Sequence, residues 1–482
     1  MSYSLRADYN QQYIFPPSLE DLLHKGHPAR FIRHFVDRLD RTRYEFYESK
    51  GTHGRPHYSW DLLLKVWMYG YFHKVRATRE LERWCHNDIG MMWLTGMHKP
   101  DHNTLWRFFD RNKAAIKAIF KLSTQSALDI GLIDFALHAL DGTKIQAQVS
   151  TRTGWNEKKL ESALALLDES IDEVMKEIEE TPHDEDGGYL MPAELRDREN
   201  LNRKLEELEN RKKELEELGD DMKRINRKHL HDKDKDARMM KCGKVNDYAY
   251  NAQAVVDGHS GLIVTHEVVN DETDNHMLMP MIAKVEENLG ERAEETAADG
   301  GYYSPEELVK AEEAGAGVLV NISSQIEPEG RGHKFHKSRF KYDGEKDVVV
   351  CPLGKELEFE RVKKNRNKRR KLRVYRCHHR KDCPESSNCS REKRGRSIEI
   401  GSHYFTLKRQ VEKQKDTYKK ELLSKRKEIV EPVFGIIKNV MGFRRFTVRG
   451  LEKVNAQWSL ICTTYNLRKL FKLWAAGKLC FV

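Results

Sequence analysis

Long apolar runs are missing from this 482-residue chain. None approaches the ~20 consecutive apolar residues that a membrane-spanning helix needs, so no membrane partner is expected. The opening MSYSLRADYNQQYIFPPSLEDLL lacks the basic-then-apolar layout of a secretory signal. Cysteine is sparse, with eight residues, so a disulfide framework is not expected and a reducing, cytoplasmic setting is. Acid is the minority charge: 76 Asp and Glu stand against 85 Lys and Arg, for a net +9. That surplus favours a polyanionic partner, most simply nucleic acid. The plainer alternative is an enzyme with a mildly basic surface. The length exceeds what one simple core serves, and two to four structural units are expected.

Residues 1–130 read as all-helical. Ser59 is placed to cap SWDLLLKVWMYGYFHK, whose Leu62, Leu63, Val66, Trp67 and Phe72 suit a buried helix. Asn103 or Thr104 is expected to cap the helix after Pro100. Arg79, Arg83, Arg107 and Arg111 lie between apolar positions, as in a helix-turn-helix DNA reader or in an ordinary bundle with solvated arginines. Residues 133–150 switch to period two and read as a strand with a hairpin return. From 155 to 230, Leu160, Leu164, Leu167, Ile171, Val174 and Ile178 form one seam. Leu201, Leu205, Leu208, Leu215, Leu218, Met222 and Ile225 form a second, so a helical hairpin is expected around the loop TPHDEDGGYLMP. Strands return at YAYNAQAVVD and LIVTHEVV, then a helix at MLMPMIAKVEENLG, a strand ending in Asp299, a helix opened by Ser304 and Pro305, and the strand GVLVNIS. A long helix is expected from about 407, and an amphipathic one, AQWSLICTTYNLRKLFKLW, closes the chain. The fold class is α/β (α+β), a mixed sheet covered by helices.

Two strand ends carry the sequence Asp-Gly: ALDGTKI at Asp141 and AADGG at Asp299. Catalytic groups in α/β sheets gather outside such ends. Two carboxylates on neighbouring strands can share a divalent cation, which takes oxygen ligands and keeps waters for the substrate. Gly142 is read as leaving room for a phosphate to approach. A third acid belongs on a helix beside these strands. Glu431 shares one helix face with Phe434 and Lys438, Glu428 is its rival one turn earlier, and Pro432 implies a kink or a helix restart.

Several segments together resemble DDE insertion-sequence transposases with an RNase-H-like catalytic core and a helical N-terminal transposase domain. They are PDHNTLWRFFDRN, ALDGTKIQA, DKDARMM, YNAQAVVD, ADGGYYS and the long run from Val430 to Leu470. In that family the first strand, the fourth strand and a late helix supply Asp, Asp and Glu, which land on Asp141, Asp299 and Glu431. The family's basic residue two turns past the Glu matches Lys438, and its upstream Arg matches Arg426, with Lys427 adjacent. The resemblance implies two Mg²⁺ (or Mn²⁺) ions per site. It also implies double-stranded DNA as partner, both the element's terminal inverted repeats and the target, a homodimer in the synaptic assembly, and a prokaryotic, nucleoid-associated location. The corresponding organisation is a DNA-binding unit at 1–130, a catalytic core at 133–154, 236–326 and 407–475, the helical hairpin at 155–230, and a basic insertion at 327–406.

Within that insertion, RVKKNRNKRRKLRVYR (361–376) holds ten Lys and Arg and no acid. So dense a run of like charge points to DNA backbone contact or to a solvated loop. Lys364, Arg366, Lys368, Arg369 and Arg370 are its candidate contacts, beside Arg107, Arg111, Arg426, Arg444 and Arg445 elsewhere. Cys351, Cys377, Cys383 and Cys389 are candidate zinc ligands, with His378 or His379 as substitutes. Their C-x₅-C-x₅-C spacing is looser than the usual zinc knuckle, and reduced, unligated thiols in a basic loop are the plainer reading. A transposase is the leading expectation. A catalytically silent DNA-binding regulator and a plain metal-dependent nuclease are the alternatives.

Overall fold

The computed structural model describes residues 18–39, 44–47, 57–180, 192–322, 334–365, 370–401 and 403–479. The N-terminal part is helical: α1 (Pro28–Asp37), α2 (Trp60–Phe72), α3 (Thr78–Asn87), α4 (Ile89–Thr95), α5 (His102–Arg111) and α6 (Lys113–Asp129). α2 is buried almost all round, as its apolar content requires. The cap of α5 is Asp101, not Asn103 or Thr104. Its carboxylate accepts from the Thr104 amide at 2.6 Å, satisfying one of the helix's unpaired donors.

β1 (Leu137–Gln146) runs straight, with no hairpin return inside 133–150. Its antiparallel partner lies a hundred residues on, because inserted elements intervene, beginning with β2 (Trp155–Asn156), α7 (Glu157–Glu180), α8 (Pro192–Arg224) and β3 (His229–Leu230). After β4 (Arg238–Cys242), the long β5 (Val245–Asp257) pairs with β1 along one edge and with β4 and β6 (Ile263–Val269) along the other. α9 (Leu278–Leu289) leads to β7 (Glu295–Ala298), which pairs parallel to β1. α10 (Pro305–Glu313) leads to β8 (Val318–Val320), parallel to β7. The main layer thus runs β6-β5-β1-β7-β8, mixed in direction.

α7 and α8 zip against each other within one chain. Leu160, Leu215, Leu218 and Met222 form a buried cluster with Leu230, and Lys212 pairs with Asp168 at 2.6 Å. The expected loop between them lies outside the described residues, apart from Pro192.

The basic, cysteine-containing stretch is a sheet rather than a loop. β9 (Lys341–Asp343), β10 (Val348–Val350), β11 (Glu356–Asn365) and β12 (Arg370–Arg376) lead to the short α11 (Ser386–Cys389) and then β13 (Ser397–Gly401). The order β13-β12-β11-β10-β9 is antiparallel throughout. Most of the ten-cation run forms the two arms of the β11–β12 hairpin. Leu372, Val374 and Tyr375 turn inward while Lys363, Lys364 and Arg373 remain exposed.

The expected long helix near 407 is two, α12 (Tyr404–Lys413) and α13 (Thr417–Gly435), because Asp416 restarts it by accepting from the Lys419 amide at 3.0 Å. α13 passes through Pro432 without ending and runs into a π-helical turn at Ile436–Val440. The last helix, α14 (Leu451–Ala475), is not amphipathic. From Val454 to Leu467 every residue is buried, because the helix is wedged between the sheet and α2 and α6. Its polar residues serve the edge of β6. Asn455 pairs with both backbone groups of Val268 (2.9 and 2.8 Å), and Asn466, three turns on, with both of Ile263 (2.9 and 2.8 Å). Side-chain amides thus satisfy a strand edge that would otherwise bury unpaired groups.

His266 on β6 is fully buried, edge-on to Phe120 at 4.3 Å. Burial, with Lys284 and Lys117 nearby, pushes its pKa down to about 3. The unfolded chain, with an ordinary value near ~6.5, takes up this proton first, so stability present above that value is lost as pH falls towards 3. Between pH 7 and pH 5 this group costs about 2 kcal/mol. Urea unfolding of wild type and His266→Phe at both pH values should show the wild type losing that much more; parallel losses would contradict it.

Candidate active site

Register brings the two predicted aspartates together. Leu140 pairs with Ala298 across the parallel β1–β7 ladder, so Asp141 and Asp299 follow side by side. Asp299 is the first residue past β7, but Asp141 lies midway along β1 and not at its expected end, because pairing with β5 carries the strand on to Gln146. The Asp141 carboxylate accepts from the Gly142 amide (2.8 Å), and that of Asp299 from the Gly301 amide (2.8 Å). Arg426 of α13 reaches Asp141 Oδ2 at 3.0 Å, and its side chain is buried. The separation is that of an ion pair, although the N–H is not aligned for a hydrogen bond. Burial pushes the Asp141 carboxyl up and Asp299 adds to this, while the Arg426 charge and the Gly142 amide oppose it. The expected DNA contact at Arg426 is therefore an internal counter-charge to Asp141.

Lys438, in the π-helical turn, donates to Thr143 Oγ1 and to the Lys144 carbonyl (3.3 Å), two and three residues past Asp141. Burial holds its pKa below the ordinary lysine value. Beyond it the chain runs beside the end of β1: Gln146 donates to the Arg444 carbonyl (3.2 Å), and Arg445 donates to Gln146 Oε1 (3.3 Å). Phe443, Phe446 and Val448 turn inward, leaving Arg444, Arg445 and Arg449 exposed. A small cleft of about 280 Å³ lined by Ser150, Thr153, His231, Lys233, Arg445 and Arg449 continues this basic track.

Glu431 is exposed on α13 and makes no hydrogen bond or ion pair among the described residues. Nor do those residues contain any group of three His, Cys, Asp or Glu positioned to hold a metal ion. The acid that does adjoin the pair is one the sequence reading missed, Asp274. Its Oδ1 accepts from Asn251 (2.6 Å), Gln253 (2.7 Å) and Lys144 (3.3 Å). Tyr302 donates to Gln253 Oε1. Burial drives the Tyr302 hydroxyl well above its usual value, and the charges of Asp274, Asp141 and Asp299 add to the shift. A signal was available: Asn251 and Gln253 are polar at period two within the stretch 248–256 of β5, which is otherwise apolar or aromatic and buried.

Gly142 faces this network rather than open space. A Cβ there would lie 2.4 Å from Gln253 Nε2 and 3.0 Å from Asp274 Oδ1. Its lack of a side chain lets Gln253 and Asp274 close over β1, which replaces the reading of Gly142 as room for a phosphate.

Of the other expected DNA contacts, Arg107 and Arg111 are exposed on α5, with Arg111 stacked on Tyr47 at 4.8 Å. Lys364 is exposed on β11, whereas Arg366, Lys368 and Arg369 and the side chain of Arg370 lie outside the described residues.

Residues 350–471 match a family described as transposase DDE domain, and residues 17–111 match a transposase domain designated DUF772. Together the two matches support a DDE insertion-sequence transposase, for which DNA is the implied substrate. The first match includes Glu431, Lys438 and the four clustered cysteines; neither includes the strands bearing Asp141 and Asp299. No curated protein and no solved structure matches the chain. Among the described residues no helix is long and apolar enough to cross a membrane.

Gly142→Ala is expected to cost about 1–3 kcal/mol through overpacking against Gln253 and Asp274. Gly435→Ala, where a Cβ meets nothing within 4 Å, is expected to be neutral or stabilising. Denaturant midpoints measure both; equal effects would overturn this account of Gly142.

Proposed function

We propose that the chain is a transposase that binds the ends of its own mobile element and cuts and joins DNA there, with Asp141, Asp299 and Glu431 as the acidic site. The observation that carries this reading is the side-by-side placement of Asp141, midway along β1, and Asp299, the first residue past β7, under α13, in a chain with two transposase matches. β1 is the first strand of the mixed sheet. β7 is the fourth in chain order if β4 is counted as an extension of β5's edge. A late helix crosses them, with Leu422 packed against Leu137 and Ala297. These features support an RNase-H-like core.

The two sheet carboxylates are donors of the kind a divalent cation takes, although among the described residues they are not gathered with a third ligand. Asp141 is a carboxylate whose charge is disfavoured by burial and by its acidic neighbour, and hard carboxylate oxygens suit Mg²⁺ or Mn²⁺. When bound, two such ions supply activation of the attacking oxygen and stabilisation of the leaving one in phosphodiester transfer. Asp141 and Asp299 would hold them from the sheet. Glu431 is assigned as the third ligand from α13. It lies between Arg426 and Lys438, both of which touch β1 or its side chains, and about 7.5 Å along the axis from Arg426. Its exposed carboxylate is not committed to another partner. Asp274, by contrast, is occupied by three donors on one oxygen and acts as a positioning residue that fixes β5 against Gly142.

Arg426 opposes the cost that burial puts on charging Asp141. Lys438, Arg444, Arg445 and Arg449 would seat the DNA backbone leading away from the acids, and Lys364 with the exposed arginines of α5 would grip it further out. The homodimer of a synaptic assembly belongs to this reading. The α7–α8 hairpin is closed within one chain and does not need a partner to bury its seam.

Strand transfer tests the proposal. Labelled element-end DNA and Mg²⁺ should yield cleaved and joined products, and Asp299→Asn should reduce both by a hundredfold or more while leaving end binding within a few-fold. Binding with no metal-dependent cleavage would instead indicate a silent regulator. Cleavage without end preference or joining would indicate a plain nuclease. Full activity in Asp299→Asn would overturn the site.

A further inference from the structure

We propose that Cys351, Cys377, Cys383 and Cys389 bind one Zn²⁺ ion that staples the inserted five-stranded sheet and holds its basic hairpin in place. The first argument is size. The insert's own core is seven buried side chains: Phe335, Phe340, Val349, Leu357, Tyr375, Ile398 and Ile400. A core that small rarely sustains a sheet alone, and structural metals are a common supplement.

The second argument is placement. Cys351 follows the last residue of β10 and Cys377 the last of β12, and both strands run antiparallel to β11. Val350 pairs with Glu356 and Arg376 with Glu358, so both cysteines leave the same end of the sheet, on either side of the start of β11. Cys389 closes α11 in the connection back to β13. Cys351, Cys377 and Cys389 all pack against the same small core. Cys383 lies one turn before α11, its carbonyl accepting from the Ser386 amide at 3.1 Å. The thiols of Cys377, Cys351 and Cys383 all lie within electrostatic range of Cys389.

The third argument is the chemistry of Cys351. The turn CPLGK folds back so that the Cys351 amide donates to the Lys355 carbonyl (2.8 Å), with Gly354 at φ +77° making the reversal. The Leu353 and Lys355 amides are thereby aimed at Cys351 Sγ, at 3.4 and 3.3 Å. The turn thus fixes the position of this sulfur at the end of β10. His378 and His379 are exposed, which leaves the four thiols as the donor set. Four soft sulfur donors select zinc over magnesium. As free thiols they do not converge on a single point. On binding, each releases its proton to solvent, four in all, and four Zn–S bonds replace four S–H bonds. The cation supplies the attraction that uncharged thiols lack.

The site is separate from the acidic pair, so its loss would loosen the β11–β12 hairpin, with Lys363 and Lys364, without altering Asp141 or Asp299. The test is metal content of the purified full-length chain by mass spectrometry. One zinc per chain is expected, falling at least fivefold in Cys351→Ser, Cys377→Ser and Cys389→Ser and unchanged in Cys242→Ser, which lies on β4. Should a serine variant fail to fold, Co²⁺ exchanged into the wild-type chain gives a second readout. A tetrahedral spectrum with sulfur-to-cobalt charge transfer is expected. Wild-type protein with less than a tenth of a zinc per chain, zinc retained in all three serine variants, or an octahedral cobalt spectrum without sulfur bands would overturn the proposal.

Discussion

The parallel register of β1 on β7 is the constraint on which the rest depends. Because Leu140 faces Ala298, Asp141 and Asp299 emerge together where β7 ends and β1 continues. A slip of one residue would send Asp141 to the opposite face of the sheet and separate the carboxylates, since side chains alternate with period two. The surroundings hold that register from several sides. β5 pairs with nine consecutive residues of β1, from His138 to Gln146. Asp274 ties Asn251 and Gln253 of β5 to Lys144 of β1, and this closure is possible only because Gly142 has no side chain. α13 presses on the other face through Leu422 and Arg426.

Electrostatics explains the choice of residues around the pair. Two adjacent carboxylates, one largely withdrawn from water, resist ionising together. A buried arginine at 3.0 Å from Asp141 offsets part of that cost, and a half-buried Lys438 stands two residues further along β1. The same cost makes the pair receptive to added positive charge, which is what a divalent ion brings. The exposed arginines past the end of β1 then extend the positive field along the path a polyanion would follow away from the acids.

Much of this was legible in the sequence because the signals were local. The 3–4 spacing of Leu160 to Ile225 specified a helical hairpin without saying whether it closed within one chain or between two. Asp-Gly after a short apolar run marked the end of β7, whereas β1 runs on through Asp141 to Gln146. What escaped the sequence depended on distant segments. The antiparallel partner of β1 lies beyond the inserted hairpin, so a nearby return was the natural but incorrect expectation. α14 has amphipathic composition only on paper, because its Asn455 and Asn466 spend their polarity on the edge of β6. The inserted sheet was masked by its charge: lysines and arginines alternate with Leu372, Val374 and Tyr375, and the cations dominate any composition count. Asp274 lies in a loop with no motif of its own, and only the fold reveals what it anchors.

Cation-directed backbone cleavage tests the central claim most directly. Fe²⁺ substituted for Mg²⁺, with ascorbate and peroxide, generates radicals that cut the chain next to the bound ion. The account predicts cuts clustered around residues 141 and 299 in the same preparation, suppressed by excess Mg²⁺ and abolished by Asp141→Asn. Cuts at only one of these two positions, or at neither while the protein still binds the metal, would contradict it.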